Sequence, residues 1–550
     1  SSYKFRIKAK NGEYFDKTDP MAFCMDLRPG TNSKVLNRND YEWNDENWLK
    51  KRSQTNWHKS PVSIYELHLG SWKRKAHADE NENAVLSYRE YAEQLIPYLK
   101  EMGYTHVEFM PLSEFPFDGS WGYQVSGYYS ATSRFGSPND LKYFIDELHK
   151  AEIGVLLDWV PAHFPKDAFS LAKFDGTALY EHSDPQQGEH PQWGTLIFNY
   201  GRTEVCSFLI SNAYYWIDEF HIDGLRVDAV SSMIHLNYGR EETGDWIPNR
   251  DGGVENLEAI VFLRSLNKRL HYDHPGVLTI AEEATAWPCV SKPIEFHDKA
   301  LGFDFKWNMG WMHDTLKYYK LDPVHRKGSH NQITFSMAYF YNENFVLPLS
   351  HDEVVHMKGS LINKMSGDYD WQVKQLKLLH AYQYAHPGKK LMFMGGEFGQ
   401  QSEWAYKNSL DWFRLDYEEP RQIKQVVADL NKIYKQEKAL WQDDFEQSGF
   451  RWINPNDADS SVLSFMRKAE DGEHMLCIFN FTPIDRPGYV IGCPTDENYE
   501  VVFNTNDAKY GGNNFGNCEE LTGRWIKAND FPHSLVLDLP AFGALFLKAV

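Results

Sequence analysis

Basic charge is in short supply in this sequence, and so is cysteine. Against 77 Asp and Glu residues stand 57 Lys and Arg, a formal net charge of −20. That balance argues against nucleic acid and against anionic membrane surfaces as main partners, and it suits a neutral substrate. Six cysteines (Cys24, Cys206, Cys289, Cys477, Cys493, Cys518) are scattered over 550 residues with no Cys-x-x-Cys pair. A structural zinc site is therefore not expected, and the thiols read as reduced residues of a cytoplasmic protein. No apolar run approaches a membrane span, no secretory leader opens the chain, and there is no internal repeat, low-complexity tract or long single-sign charge run. The chain starts at Ser1 without a Met, inside text that reads as a strand, so upstream residues are expected to precede it.

What the chain has in plenty is aromatic. Phe, Tyr and Trp make up 15% of it. Such rings bury large areas while Tyr and Trp keep a polar handle, so they serve equally as core and as platforms for the C–H faces of sugars. Residues 1–55 read as short strands with Pro and Gly turns. From Pro61 a different rhythm sets in. Strand text at 63–72, 105–112, 154–158, 222–230, 277–283, 301–307, 345–350 and 390–399 alternates with helical spacing at 87–103, 138–151, 203–219, 255–272, 370–385 and 421–438. Eight strands in βα alternation predict a parallel (β/α)8 TIM barrel over 56–440, interrupted after its third strand by an insertion at about 161–200. Residues 441–550 change style to short strands separated by Gly, Pro and Asn turns, which predicts an all-β sandwich.

Four of the apolar strands end in ionisable groups: GVLLDWVPAH with Asp158 and His163, IDGLRVDAV with Arg226 and Asp228, GVLTIAEEAT with Glu282 and Glu283, and FVLPLSHDEV with His351 and Asp352. A carboxylate at the end of a buried strand is costly unless solvated or paired. Singly, each reads as a cap or a structural pair; jointly, in a barrel, they converge on one rim. Alternation on a strand sends Arg226 and Asp228 the same way, and an Arg beside a carboxylate keeps it ionised, as a carboxylate nucleophile requires. Glu282 and Glu283 must point to opposite faces; one can face the axis while the other packs elsewhere or caps the following turn. With Asp228, one of them supplies the second carboxyl of glycoside chemistry, a general acid whose pKa must be raised. HDEVVH (351–356) has the wrong histidine spacing for a helical zinc motif, so no metal and no cofactor is expected.

On these stretches, together with YELHLGSW, SWGYQVSGYYS, WGTLIFNYGRTEV, DGLRVDAVSSM, AHPGKKLMFMGGEFGQ and SLDW, the chain resembles the α-amylase family of retaining α-glucan enzymes, and within it the bacterial-type 1,4-α-glucan branching enzymes. The resemblance implies Asp228 as nucleophile, Glu282 rather than Glu283 as acid/base, and Asp352 as the carboxylate that stabilises the transition state. It implies that Tyr123 stacks under the reacting sugar and that Asp158, His163, Arg226 and His351 hold hydroxyls and the nucleophile. Trp121, Trp159 and Trp193 are candidates for glucan platforms or for core. The implied substrate is an α-1,4-glucan, a glycogen- or starch-like polysaccharide, as both donor and acceptor. The implied protein is a monomer. DPMAFCMDLRPGTNSKV resembles the closing strands of an immunoglobulin-like glucan-binding module, expected here in truncated form over 1–55. The text departs from the family at Ala162 and Cys289, where Gly is usual, and at Met357 and Gly359, which replace a Gly and a basic residue. These changes bear on loop shape and on acceptor or chain-length preference. Two other readings stay open: an amylase-like or debranching hydrolase, and a non-catalytic glucan-binding protein on the same barrel.

Overall fold

Eight strands pair in parallel and close on themselves: β1 (Ser63–Leu67), β2 (His106–Phe109), β3 (Gly154–Trp159), β4 (Gly224–Val227), β5 (Leu278–Ala281), β6 (Phe305–Trp307), β7 (Phe345–Leu349) and β8 (Lys389–Phe393), with β8 hydrogen-bonded to β1. This is a computed structural model, and it describes residues 1–37, 40–75, 84–518 and 521–550. Every residue of the eight strands is buried, because helices cover the barrel outside and side chains fill it inside; the near-continuous apolar runs follow from that. Ile64, Leu156, Ile280, Phe305, Trp307, Val346 and Leu391 pack in one cluster within it.

The helices begin and end where their chemistry dictates. After α1 (Glu46–Gln54), α2 (Tyr88–Met102) starts at a reciprocal capping box between Ser87 and Glu90 and stops at Gly103, whose φ of 79° only glycine adopts freely. Next, α3 (Pro138–Lys150) has the same box between Ser137 and Asp140, with Pro138 in the first turn. Then come α4 (Thr203–Phe220), α5 (Leu257–Asp273), α6 (Met309–Lys320), α7 (Tyr369–Ala385) and α8 (Glu418–Gln436). The insertion after β3 holds a three-stranded antiparallel sheet of His163–Phe164, Thr195–Ile197 and Glu189–His190.

Residues 450–550 form a six-stranded antiparallel sheet faced by the pair Arg486–Cys493 and His533–Leu539, with Leu476, Ile478, Leu545, Ile491, Leu535 and Leu537 in one apolar cluster. The N-terminal text gives two small antiparallel pairs, Ser2–Tyr3 with Ser33–Lys34 and Phe5–Lys8 with Tyr14–Lys17. Short strands were expected throughout 1–55, yet 46–54 is helix α1. Only Trp48 and Arg52 of α1 are buried, so it carries almost no apolar period. Its fold is decided by tertiary bonds: the Trp48 indole donates to Asp223 at 2.8 Å and Arg52 pairs with the same carboxylate at 3.0 Å. The strand text at 63–72 also ends early, at Leu67, with a short helix over Leu69–Trp72.

Candidate active site

Period-two alternation carries the inner lining of the barrel from apolar to ionisable. Two residues beyond the buried Ile64, Leu156 and Ile280 lie Glu66, Asp158 and Glu282. From β4 and the residue just past it come Arg226 and Asp228, and His351 and Asp352 open the loop after β7. All eight residues expected from the sequence meet at this rim.

Arg226 is the centre of the arrangement. It is 1% exposed, and its Nη1 donates to Asp158 at 2.6 Å and to Asp228 at 2.9 Å. Its Nη2 meets Glu282 at 2.9 Å. The guanidinium lies 4.2 Å from the centre of the Trp307 ring beneath it, a cation–π seat that fixes its plane. Asp228 and Glu282 are therefore carried on two nitrogens of one rigid fork, and their carboxyls also come within hydrogen-bonding reach of each other.

The two carboxyls are driven apart in acidity. Burial raises Glu282 to about 8; the negative charges of Asp228 and Asp352 add to this, while Arg226 opposes it. Burial would raise Asp228 too, but the approach of His163 and the charge of Arg226 hold it below the ordinary aspartate value. One is a proton donor at neutrality and the other a carboxylate, a division of labour suited to acid and nucleophile.

The rest of the site is built around them. The Tyr123 hydroxyl donates to Asp158, and its ring lies 5.6 Å from that of His351 at 23°. Asp158 is raised to about 6 by burial, with Arg226 opposing. His351 is clamped by Glu66, which accepts from the His351 backbone N–H at 3.1 Å and meets Nδ1 at 2.5 Å. Burial works against a charge on His351, yet Asp352 and Glu66 raise it to about 10. Its Nε2 faces Asp352 at 3.3 Å, and the Asp352 side chain is 38% exposed, open to whatever fills the cleft. His163 approaches Asp228 at 3.8 Å.

Of the three tryptophans, Trp159 is core. It is 1% exposed, and its indole donates to Asn212. Trp193 is 36% exposed in the insertion beside His163 and His190, and Trp121 packs on Trp404 and His356 beyond His351.

Two buried acids escaped the reading of the sequence. Glu66 and Glu108 sit inside β1 and β2, in SIYEL and HVEF, and both are fully buried. The rule applied to the other four strands, a carboxylate in an apolar run, would have found them. One oxygen each of Glu66, Glu108 and Asp158 lie within 4.8 Å of one another. A hard cation there would compete with Arg226 and His351, which already neutralise two of the three, so this donor set reads as an ion-pair network rather than a metal cage.

Residues 92–192 and 195–478 match the alpha amylase catalytic domain, and 452–550 match the alpha amylase C-terminal all-beta domain. The chain is 53% identical over 548 residues to the 1,4-alpha-glucan branching enzyme GlgB of Thiobacillus denitrificans, covering 100% of this chain and 73% of that one. It is 51% identical to the same enzyme of Marinobacter nauticus, covering 99% and 86%. The chain belongs to the 1,4-alpha-glucan branching enzymes of the alpha-amylase family. Among solved structures, a pullulanase complexed with maltotetraose from Anoxybacillus sp. LM18-11 superposes with a TM-score of 0.71 at 17% identity, over 100% of this chain and 79% of that one. A putative alpha amylase from Salmonella typhimurium does so at 0.69 and 17%, over 98% and 89%. At that identity the likeness speaks for the fold. In this branching enzyme family member the barrel rim brings Asp228, Glu282 and Asp352, the three carboxyls expected from the sequence, into one another's field.

Proposed function

We propose that the protein is a transglycosylase that cuts an α-1,4 bond in a glucan chain and re-forms it as an α-1,6 branch. Asp228 attacks the anomeric carbon while Glu282 gives its proton to the departing 4-oxygen, leaving the donor chain as a β-linked ester on Asp228. Glu282, now ionised, takes the proton of an acceptor 6-hydroxyl as that oxygen displaces Asp228. Two inversions give net retention, with no cofactor consumed. Asp352 and Asp158 hold sugar hydroxyls and stabilise the oxocarbenium-like charge; Tyr123 stacks beneath the ring; His163 and His351 orient the nucleophile and the hydroxyls.

The observation that carries the reading is the shared Arg226 fork, which holds Asp228 and Glu282 side by side. Retaining enzymes need their carboxyls about 5–5.5 Å apart, whereas inverting ones leave room for a water. Water or a sugar can complete the second step, and acceptor choice resides in the rim loops. Incubation with amylose followed by NMR linkage analysis tests this directly. New α-1,6 signals without a matching rise in reducing ends support branching; reducing ends without α-1,6 signals reject it for hydrolysis.

The same proposal divides the chain into 1–55 as the closing part of a glucan-binding β module, 56–440 as the catalytic barrel and 441–550 as the C-terminal sandwich. It takes glycogen- or starch-like polymer as donor and acceptor, and the protein works as a cytoplasmic monomer. Among the described residues no helix is long and apolar enough to cross a membrane. Burial pushes the Cys477 thiol up to about 12 and the Cys493 thiol to about 11, which keeps both unreactive. Sedimentation velocity checks the oligomeric state.

A further inference from the structure

The glutamate after Glu282 turns away from the cleft into a buried polar pocket of its own. Glu283 is fully buried. It accepts from the Ser231 hydroxyl at 3.1 Å, from the Thr285 backbone N–H at 2.9 Å and from the Lys306 ammonium at 2.8 Å. Lys306 stands on β6, paired in register with Ala281 of β5, and also donates to the Thr285 carbonyl at 3.3 Å. Ser231 closes the ring by accepting from the Ala284 N–H at 2.9 Å.

Ser231 lies three residues past Asp228, in the short helix Val230–Ile234 that follows β4, and Glu283 lies on the loop after β5. The brace therefore ties the nucleophile's loop to the acid's loop. Two further bonds run the same way: the Ala229 N–H donates to the Glu282 carboxyl at 2.9 Å, and the Val230 N–H to the Glu282 carbonyl at 3.0 Å. The Glu282 carboxyl is met by Arg226 and the Ala229 N–H from the neighbouring strand and loop, while the backbone that carries it is held by Glu283. That backbone is pinned from the outside of the barrel by one ammonium on the adjacent strand.

We propose that Lys306 is a positioning residue for the acid/base carboxyl of Glu282, acting through Glu283 and Ser231. The inference rests on the reading of Glu282 as acid/base. A lysine serving only to neutralise a buried glutamate would sustain the fold and leave the balance between substrates alone. A lysine that aims the acid affects only those steps in which a proton must move.

The test uses two donors with the full-length protein. Amylose has a poor leaving group and needs the acid. α-Maltosyl fluoride expels fluoride without protonation, and azide, an acceptor with no proton to lose, completes turnover as α-maltosyl azide without a base. Lys306→Met is expected to lower kcat on amylose by about 10- to 100-fold, within the range of general acid catalysis, with KM nearly unchanged. Turnover of the fluoride with azide is expected to stay within about threefold of the parent, set against the same scale of acid catalysis. Lys306→Arg should recover part of the amylose rate. Should Lys306→Met fail to fold, Ser231→Ala cuts the same brace without stranding a charge and should show a smaller loss with the same donor selectivity. Equal loss on both donors, or loss on neither, overturns the proposal. Glu282→Gln is the control: if it is not donor-selective, the acid/base assignment itself fails, and the two failures are thereby told apart.

Discussion

At the scale of the residue, the site is an exercise in keeping two like groups in different protonation states. A single guanidinium serves both carboxyls, so the difference comes from their other neighbours. Asp228 has His163, and Glu282 has the negative field of Asp228 and Asp352. The pH dependence follows with a definite sign. On the proposed roles, activity needs Asp228 ionised, so it is lost as pH falls through a value below 3.8; it needs Glu282 protonated, so it is lost as pH rises through about 8. A plot of kcat/KM against pH should be a bell with its basic limb near 8, and Glu282→Gln should lack that limb. The same variant should lose about 10²–10⁴ in rate on amylose. Asp228→Asn should accumulate no glycosyl-enzyme, read by intact-mass spectrometry with a slow fluorinated donor; an adduct in that variant would move the nucleophile elsewhere. Arg226→Leu is expected to be worse for stability than either, since it strands Asp158, Asp228 and Glu282, and breaking a buried ion pair costs about 3–5 kcal/mol.

Elements that announce themselves in local chemistry were legible in the sequence, and those held by distant partners were not. The α2 and α3 helices carry capping boxes and an apolar face, and their predicted spans of 87–103 and 138–151 fall within a residue or so of Tyr88–Met102 and Pro138–Lys150. Ser87→Ala should cost about 1 kcal/mol, visible as a small fall in melting temperature with unchanged kcat. Helix α1 was illegible because its two buried residues, Trp48 and Arg52, take their meaning from Asp223, far along the chain. The barrel itself could be counted from alternating βα text, and the catalytic rim from acids in apolar runs. The choice of Glu282 over Glu283 could not be made that way: adjacent glutamates on a strand buried on both faces look alike until Lys306 and Ser231 are placed. Trp159 stayed open between platform and core for the same reason, since a tryptophan beside a rim aspartate gives no sign of whether it faces the cleft or Asn212. Trp193, by contrast, stands open on the insertion. Trp193→Ala should raise KM for amylose several-fold with little change in kcat, the signature of lost uniform binding.

Over the whole molecule, catalysis and cohesion are placed at opposite ends of the barrel. The rim holds the groups proposed to react. At the start of β8, far from that rim, Lys389 donates to Asp444 at 3.0 Å and to the carbonyls of His58 and Ser60 at 3.1 and 2.8 Å. Arg467, from the first long strand of the C-terminal domain, reaches back to the same Asp444 at 2.6 Å and to the Ala385 carbonyl at 2.7 Å. Asp444, Lys389 and Arg467 are all buried, so one carboxylate links the barrel to the β domain and neutralises a cation from each. Burial would raise Asp444, but Lys389 and Arg467 hold it below 3.8. Its contribution is therefore present above that value and is lost as pH falls through the lower one set by the fold. Asp444→Ala would leave two buried cations without a counter-charge, at a cost of about 3–5 kcal/mol. Heated at neutral pH, the parent should melt barrel and β domain together, while the variant should melt earlier, or split into two transitions by calorimetry. Below its melting range the variant should keep the parent's amylose kcat and its basic limb near 8, because no bond of the clamp reaches the rim. A variant that melts like the parent would show that Asp444 does not join the two domains energetically.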